Sequence, residues 1–273
     1  MALAKAGFVL GIKPVSVLRP HEETIPSHVV GIAAEMKRDG VQKDPIMVDQ
    51  ESLTVLDGMH RLAAFLALGV ENAVCCSVEY ASQAVALARW ARVYTMPNGV
   101  GLSDAAKSSG LTRRTTLAQA FEELEGRDVG IGLLTPDAAY LPEHNLDLGQ
   151  AIDMILSFDR LSESEGWQRE FVPEDDVDVP LQSGRKVVLM VRRLRKEDVV
   201  NAARSGKLLP CKTSMHRIDP RPVAVNFPVA DLDAASSVSL RKKLDGISEH
   251  LLPPDSMYEG RRYKERLLLL NGQ

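Results

Sequence analysis

Apolar and polar positions along the chain follow two periods, one of about two residues and one of about 3.6. Residues 8 to 18, "FVLGIKPVSVL", are apolar and β-branched and stop at Arg19-Pro20, which predicts a first strand. Pro26-Ser27 opens "HVVGIAAEMKRDG", a helix with Ser27 as its expected cap, bases in its last turn and Gly40 as its end. "DPIMVDQESLTVLDG" reads as a hairpin with strands near 46–48 and 52–56, and "HRLAAFLALG" as a short helix leaving at Gly69. "NAVCCSVEY" predicts a strand, and "SQAVALARWARVY" a helix capped by Ser82.

Met96-Pro97-Asn98-Gly99 marks a linker. Beyond it, "LSDAAKSSGLTRRTTLAQAFEELEG" is helical in pattern, "DVGIGLLTPDAAYLP" suggests two short strands, and "LGQAIDMILSFDRL" a helix. "FVPEDDVDVPLQSG" reads as an acidic loop, "KVVLMVRRL" as a strand and "RKEDVVNAARSG" as a helix. The charged, then apolar, tail "EGRRYKERLLLLNGQ" suggests a docking helix or a subunit contact, which leaves a homo-oligomer open. The expected organisation is an N-terminal α/β lobe over 1–97, a second α/β lobe over 98–232 and an extension over 233–273.

Composition narrows this picture little. The chain has 273 residues, 45% of them apolar, and a formal charge of −4, too mild to imply a polyanionic partner. No apolar run is long enough to span a bilayer. The N-terminus, "MALAKAGFVLGIKP", reads as a strand rather than a signal peptide. Cys75, Cys76 and Cys211 make a poor disulfide framework and offer no zinc spacing, so a reducing cytoplasm fits. The adjacent pair is expected on a strand, with at least one thiol buried as a small hydrophobe.

The chemistry concentrates in "LDGMHR", residues 56–61, where a strand gives way to a helix. A helix N-terminus leaves backbone N–H groups unpaired and partly positive, so it suits an anion. Gly58 permits close backbone approach. His60 and Arg61 stand where the helix dipole disfavours bases, which makes sense if an anion sits among them. Asp57 can orient a hydroxyl or hold a phosphate-bound metal. The bland alternative makes Asp57 a helix cap, Arg61 its surface partner and His60 incidental.

This turn resembles the one used in the ParB/sulfiredoxin superfamily to hold nucleotide phosphates. Partition proteins there show G-E-R-R, sulfiredoxins G-C-H-R, and free-serine kinases D-G-x-H-R, the form present here. Arg19-Pro20-His21-Glu22 resembles the P-H-E segment that carries the catalytic glutamate of archaeal serine kinases. Trp90 stands where those kinases have a tryptophan beside the serine substrate. "RSGKLLPCKTSMHRIDP" resembles their R-G-E…P-K-T-T-R-H segment and maps Lys212, Thr213, Ser214 and His216 onto substrate-contacting positions. Met59 and Met215 depart from the archaeal pattern, and the tail beyond about residue 235 does not align with it.

The resemblance implies a ParB/sulfiredoxin-like lobe with a second lobe closing an interlobe cleft over it. It implies phosphoryl transfer from ADP or ATP to the hydroxyl of free L-serine, giving O-phospho-L-serine. Glu22 would be the base and Asp57 its partner. Gly58, Met59, His60 and Arg61 would hold the phosphates, and Mg²⁺ would arrive on the nucleotide. Trp90, Lys212, Thr213, Ser214 and His216 would line the serine site. Cysteine synthesis and siderophore precursor supply are both conceivable pathways.

Taken singly, these residues allow plainer readings. Glu22 and Glu23 could offset a helix dipole, Trp90 could be core, and Lys212-Thr213-Ser214 could be a polar turn. No Walker A loop and no protein-kinase glycine loop occurs, so phosphate must be held by another device.

The rival from a different class is a partition-type, nucleotide-switched DNA binder. Residues 103–124 resemble a helix-turn-helix whose second helix would carry Arg113 and Arg114. The acidic balance, the missing G-E-R-R and the unexplained KTSMH segment weigh against nucleic acid. A sulfiredoxin-like reductase would need a cysteine in the turn where Met59 stands. A silent small-molecule sensor is the third alternative.

Overall fold

The structure, a computed structural model, describes residues 3–5, 8–97, 110–234 and 249–270. It divides into two units. The first holds Met1–Ala86, Lys196–Cys211 and His216–Gln273, and the second Leu87–Arg195 and Lys212–Met215. These bounds differ from the expected 97 and 232. The chain leaves the first unit within a strand, and both the helix Lys196–Ser205 and the tail return to it.

In the first unit the strands are β1 (Leu3–Lys5), β2 (Phe8–Pro14), β3 (Val41–Gln42), β4 (Ile46–Asp49), β5 (Val55–Asp57) and β6 (Asn72–Val78). The main sheet has the order β1-β2-β6-β4-β5, and only the β4–β6 pair is parallel. β6 is central, and its Cys75 and Cys76 are fully buried. Burial pushes the Cys75 thiol up to about 12 and that of Cys76 well above its usual value, so both behave as small hydrophobes.

Helix α1 (Pro26–Asp39) begins on its proline, whose missing N–H costs nothing at that position. Its N-cap is Ile25 without a side-chain cap bond, so Ser27 does not take the expected role. Gly40 ends it at φ +67°. Helix α2 (Met59–Leu68) follows β5 directly and closes at Gly69.

The tail is strand rather than docking helix. Leu267–Leu269 pairs in parallel with Arg221–Val223 and antiparallel with His250–Leu252.

The second unit is a sheet covered on both faces. Its strands run in the order Gln168–Pro173, β7 (Val85–Thr95), Lys186–Val191, Ile131–Leu134, Ala139–Leu141 and Arg113–Thr115. Alternation assigns Tyr94, Val187, Leu189 and Val191 to one face, against Ile155 and Phe158 of the helix Leu148–Ser164. Ala91, Val93, Val188 and Met190 face Ala120 and Leu124 of the helix Leu117–Gly126.

Three expectations are corrected here. β7 is a strand where a helix capped by Ser82 was expected. Its Ala, Leu and Arg residues favour helix, but pairing on both edges overrides that preference. Arg113 and Arg114 lie on a strand paired with Ala139–Leu141, and the helix starts only at Leu117, capped by Thr116. The second helix of the expected helix-turn-helix therefore does not carry them, and residues 103–109 lie outside the described part. The segment expected as an acidic loop, 171–184, begins inside the strand Gln168–Pro173 and contains the short helix Asp178–Leu181. Of the expected linker, Met96 is buried, while Asn98 and Gly99 are outside the described residues.

Candidate active site

In the first unit the backbone turns sharply at Gly58, φ +101°, between β5 and α2. Gly58 is the N-cap of α2, and no side chain caps the helix. Asp57 is therefore not the cap. Its Oδ2 instead receives Arg61 Nη2 at 3.2 Å and Arg221 Nη1 at 3.0 Å. Arg61 also donates Nη2 to the Pro45 carbonyl, while its buried Nε has no hydrogen-bond partner among the described residues. A buried guanidinium nitrogen without an acceptor is a donor held ready for an anion. A Cβ on Gly58 would come within 2.9 Å of Arg61 Nη2, so the glycine serves both the turn and the arginine.

His60 Nε2 accepts the Ile25 N–H at 3.0 Å and so ties the start of α2 to the residue before α1. Met59 opens α2 and is half-buried. Beside this turn, a cavity of ≈ 170 Å³ is lined by Ile32, Met36 and Val41, by Lys43 and Arg61, and by the carboxylates Glu35, Asp44 and Glu259. The apolar walls suit a flat ring, and Arg61 joins the cavity to the turn.

Glu22 is 4% exposed. Its neighbours are locked to Leu209, which donates its N–H to the His21 carbonyl at 2.8 Å and accepts the Glu23 N–H at 2.9 Å. His21 Nδ1 donates to the Val55 carbonyl at 2.6 Å, and its Nε2 lies 3.8 Å from Glu22 Oε1. One imidazole thus joins the Glu22 segment to the strand that ends in Asp57.

His216 is buried edge-on to His21, with ring centroids 5.4 Å apart. Its Nε2 meets Tyr80 OH at 2.8 Å, and it hydrogen-bonds the backbone of Leu56. Both ring nitrogens are engaged within the protein. These contacts tie His216 to β5. Burial holds both imidazoles below the usual histidine range, and His216 well below.

A larger cavity, ≈ 370 Å³, lies beside Tyr80 with Asp49 and Lys196 in its wall. Asp49 and Lys196 are already committed there. Asp49 accepts the Ser52 N–H and hydroxyl and the Tyr80 N–H, and Lys196 donates to the Tyr80 and Ser82 carbonyls. The smaller cavity is the one that reaches Arg61 and the β5–α2 turn.

The second unit assembles the other group. Lys212, φ +58°, holds its Nζ 4.4 Å from the centre of the Trp90 ring. Trp90 is only half-buried on β7 and belongs to neither core cluster. The buried Arg92, one turn of the pleat away, approaches the Lys212 carbonyl with Nη1 at 3.5 Å. Thr213 and Ser214 are buried beside it in sequence.

Sequence reasoning missed Arg221, Tyr80 and Glu265. Arg221 stands in "DPRPVAV", a base inside a proline-flanked apolar run, which is a usable signal for a buried cation. Nothing around Glu265 distinguishes it from the other charges of the tail.

Among the described residues, no group of three or more His, Cys, Asp or Glu side chains could hold a metal ion. No helix there is long and apolar enough to cross a membrane.

No family model matches the chain. Among curated proteins, it is 25% identical over 240 residues to an ATP-dependent L-serine kinase of Staphylothermus marinus, covering 80% of this chain and 89% of that protein. It is 38% identical over 76 residues to a ParB-like protein of Sulfolobus acidocaldarius, spanning 28% of this chain but only 38% of that protein's length. Among solved structures, a free serine kinase in complex with AMP aligns with a TM-score of 0.66 at 18% identity, covering 82% of this chain and 93% of that one. The mixed α/β fold is thus that of the free serine kinase structures, and the motif resemblance agrees with the similarity to the L-serine kinase.

Proposed function

We propose that this chain is a phosphotransferase that moves a phosphoryl group from ATP or ADP to the hydroxyl of free L-serine. The observation that carries the reading is the β5–α2 turn, with Arg61 Nε buried and lacking an acceptor beside an uncapped helix N-terminus. The similarity to an L-serine kinase over most of both chains supports the choice of acceptor.

The terminal phosphate rests on Gly58, the first-turn amides of Met59 and His60, and the Arg61 guanidinium. The base occupies the cavity walled by Ile32, Met36 and Val41. Magnesium fits as a phosphate-borne ion, because it needs only one or two protein carboxylates, and Asp57 is the carboxylate of the turn. When bound it neutralises charge on the transferring group.

Glu22 takes the proton of the serine hydroxyl as its oxygen bonds to phosphorus. The bond from phosphorus to the leaving nucleotide oxygen breaks in the same displacement, and ADP or AMP departs. Trp90 and Lys212 serve the amino acid: the ammonium attracts its carboxylate and the ring excludes water. Thr213 and Ser214 hold the loop that carries Lys212. His216 acts from behind, through Leu56.

The test is incubation with L-serine, Mg²⁺ and either ATP or ADP, with phosphorus NMR detection of O-phospho-L-serine. Product with one donor establishes the activity and names the donor. Absence of product with both removes the reading.

A further inference from the structure

Arg221 was not singled out by any motif, yet all three of its guanidinium nitrogens are engaged. It is 3% exposed, and each arm of its guanidinium has its own acceptor. Nη1 donates to Asp57 Oδ2 at 3.0 Å, Nε to Glu265 Oε1 at 2.7 Å, and Nη2 to the His216 carbonyl at 2.5 Å. The planar fork has the shape this requires; an ammonium has not.

The two carboxylates that share Arg221 are unlike. The Glu265 side chain is 6% exposed and that of Asp57 33% exposed, so one end of the bridge is anchored and the other faces outward. Asp57 also receives Arg61 on the same oxygen, Oδ2, so that oxygen is held from two sides. The tail secures the anchor by backbone as well, since the Arg221 N–H donates to the Arg266 carbonyl at 2.9 Å and Leu267–Leu269 runs beside Arg221–Val223.

We propose that Arg221, locked by Glu265 of the C-terminal stretch, is the positioning residue that aims the Asp57 carboxylate, so the tail is a working part of the site. The inference rests on the kinase reading above for its kinetic consequences. Burying a guanidinium is costly, and two carboxylates offset that cost here. Without Glu265, two guanidiniums would compete for the one carboxylate of Asp57, and its direction would no longer be set. Loss of about an ångström of alignment is enough to slow a displacement strongly.

The experiment uses the full chain with Glu265→Gln, Glu265→Asp and Arg221→Lys, and Arg266→Ala as control. Arg266 pairs with Asp219 on the exposed side of the same stretch. Thermal unfolding, steady-state phosphoserine formation and hydrogen exchange of the peptide covering 55–61 are measured on each. Glu265→Gln and Arg221→Lys should lower kcat about tenfold or more, with both KM values within about threefold, and should speed exchange at 55–61. Glu265→Asp should recover part of kcat, and Arg266→Ala should change nothing.

Equal kcat in all four, or a loss that merely follows the melting temperature, overturns the inference. If the unaltered chain makes no phosphoserine, the kinase reading falls. The exchange at 55–61 then decides the positioning role alone, and unchanged exchange overturns it.

Discussion

The phenol of Tyr80 and the imidazole of His216 meet at 2.8 Å although 136 positions separate them in the chain. Burial raises the Tyr80 phenol and depresses the His216 imidazole, so both are neutral and the hydroxyl donates to Nε2. His21 is likewise depressed by burial. A histidine depressed in the fold binds fewer protons there than in the unfolded chain, so acid favours unfolding.

Stability should therefore hold above pH 6.5 and fall as the pH drops below it, by up to about 1.4 kcal/mol per pH unit for each of the two histidines. The fall ends once the pH is below the folded values. Urea unfolding at pH 7.5, 6 and 5 reads this, and His216→Asn should flatten the dependence. Tyr80→Phe should cost about 1–3 kcal/mol at pH 7.5, by leaving a buried nitrogen without its donor.

Gly58→Ala tests the turn. Alanine at φ +101° is strained, and its Cβ would press on the Arg61 guanidinium at 2.9 Å. Adenine nucleotide binding, followed by calorimetry, should weaken about tenfold or more. Unchanged affinity would place the phosphates elsewhere.

Arg61→Lys separates charge from shape. The charge survives, but the idle Nε and the contacts to Asp57 and Pro45 do not. Nucleotide affinity should fall by about 1–3 kcal/mol, the worth of charge-assisted hydrogen bonds. A lysine variant that binds as well as arginine would reduce the residue to a point charge.

Glu22→Gln keeps the size of a nearly buried side chain and removes its basicity. Phosphoserine formation should slow by about 10²–10⁴ while nucleotide binding persists. A turnover close to that of the unaltered chain would take Glu22 out of the mechanism.

Lys212→Met keeps an apolar stem over Trp90 and deletes the ammonium. The KM for serine should rise, with kcat and nucleotide affinity little altered. A constant KM would detach this loop from serine.

The residues that make the β5–α2 turn were legible because turn chemistry is local. Gly58, the preceding strand and the following helix each announce themselves within a few positions. Residues 85–95 were misread for the opposite reason. Their side chains favour helix, and only pairing with Gln168–Pro173 and Lys186–Val191, some 75 to 100 residues later, makes them a strand. Nothing local marks Arg89 and Arg92 as buried, because their partners Glu174 and Asp159 lie 85 and 67 positions later. His216 was recognisable as a motif residue, but its orientation towards Tyr80 was not. The Arg221–Glu265 bridge was illegible, since a charge's burial cannot be inferred without knowing which strand of the tail will lie beside it.

Asp57 is made some 200 residues before Glu265, so its brace is completed only after the long intervening chain has followed. A ribosome-bound or prematurely terminated polypeptide would display the nucleotide turn with its carboxylate unaimed. A cut between Arg221 and Glu265 would likewise release the Asp57 carboxylate while leaving the β5–α2 turn itself in place.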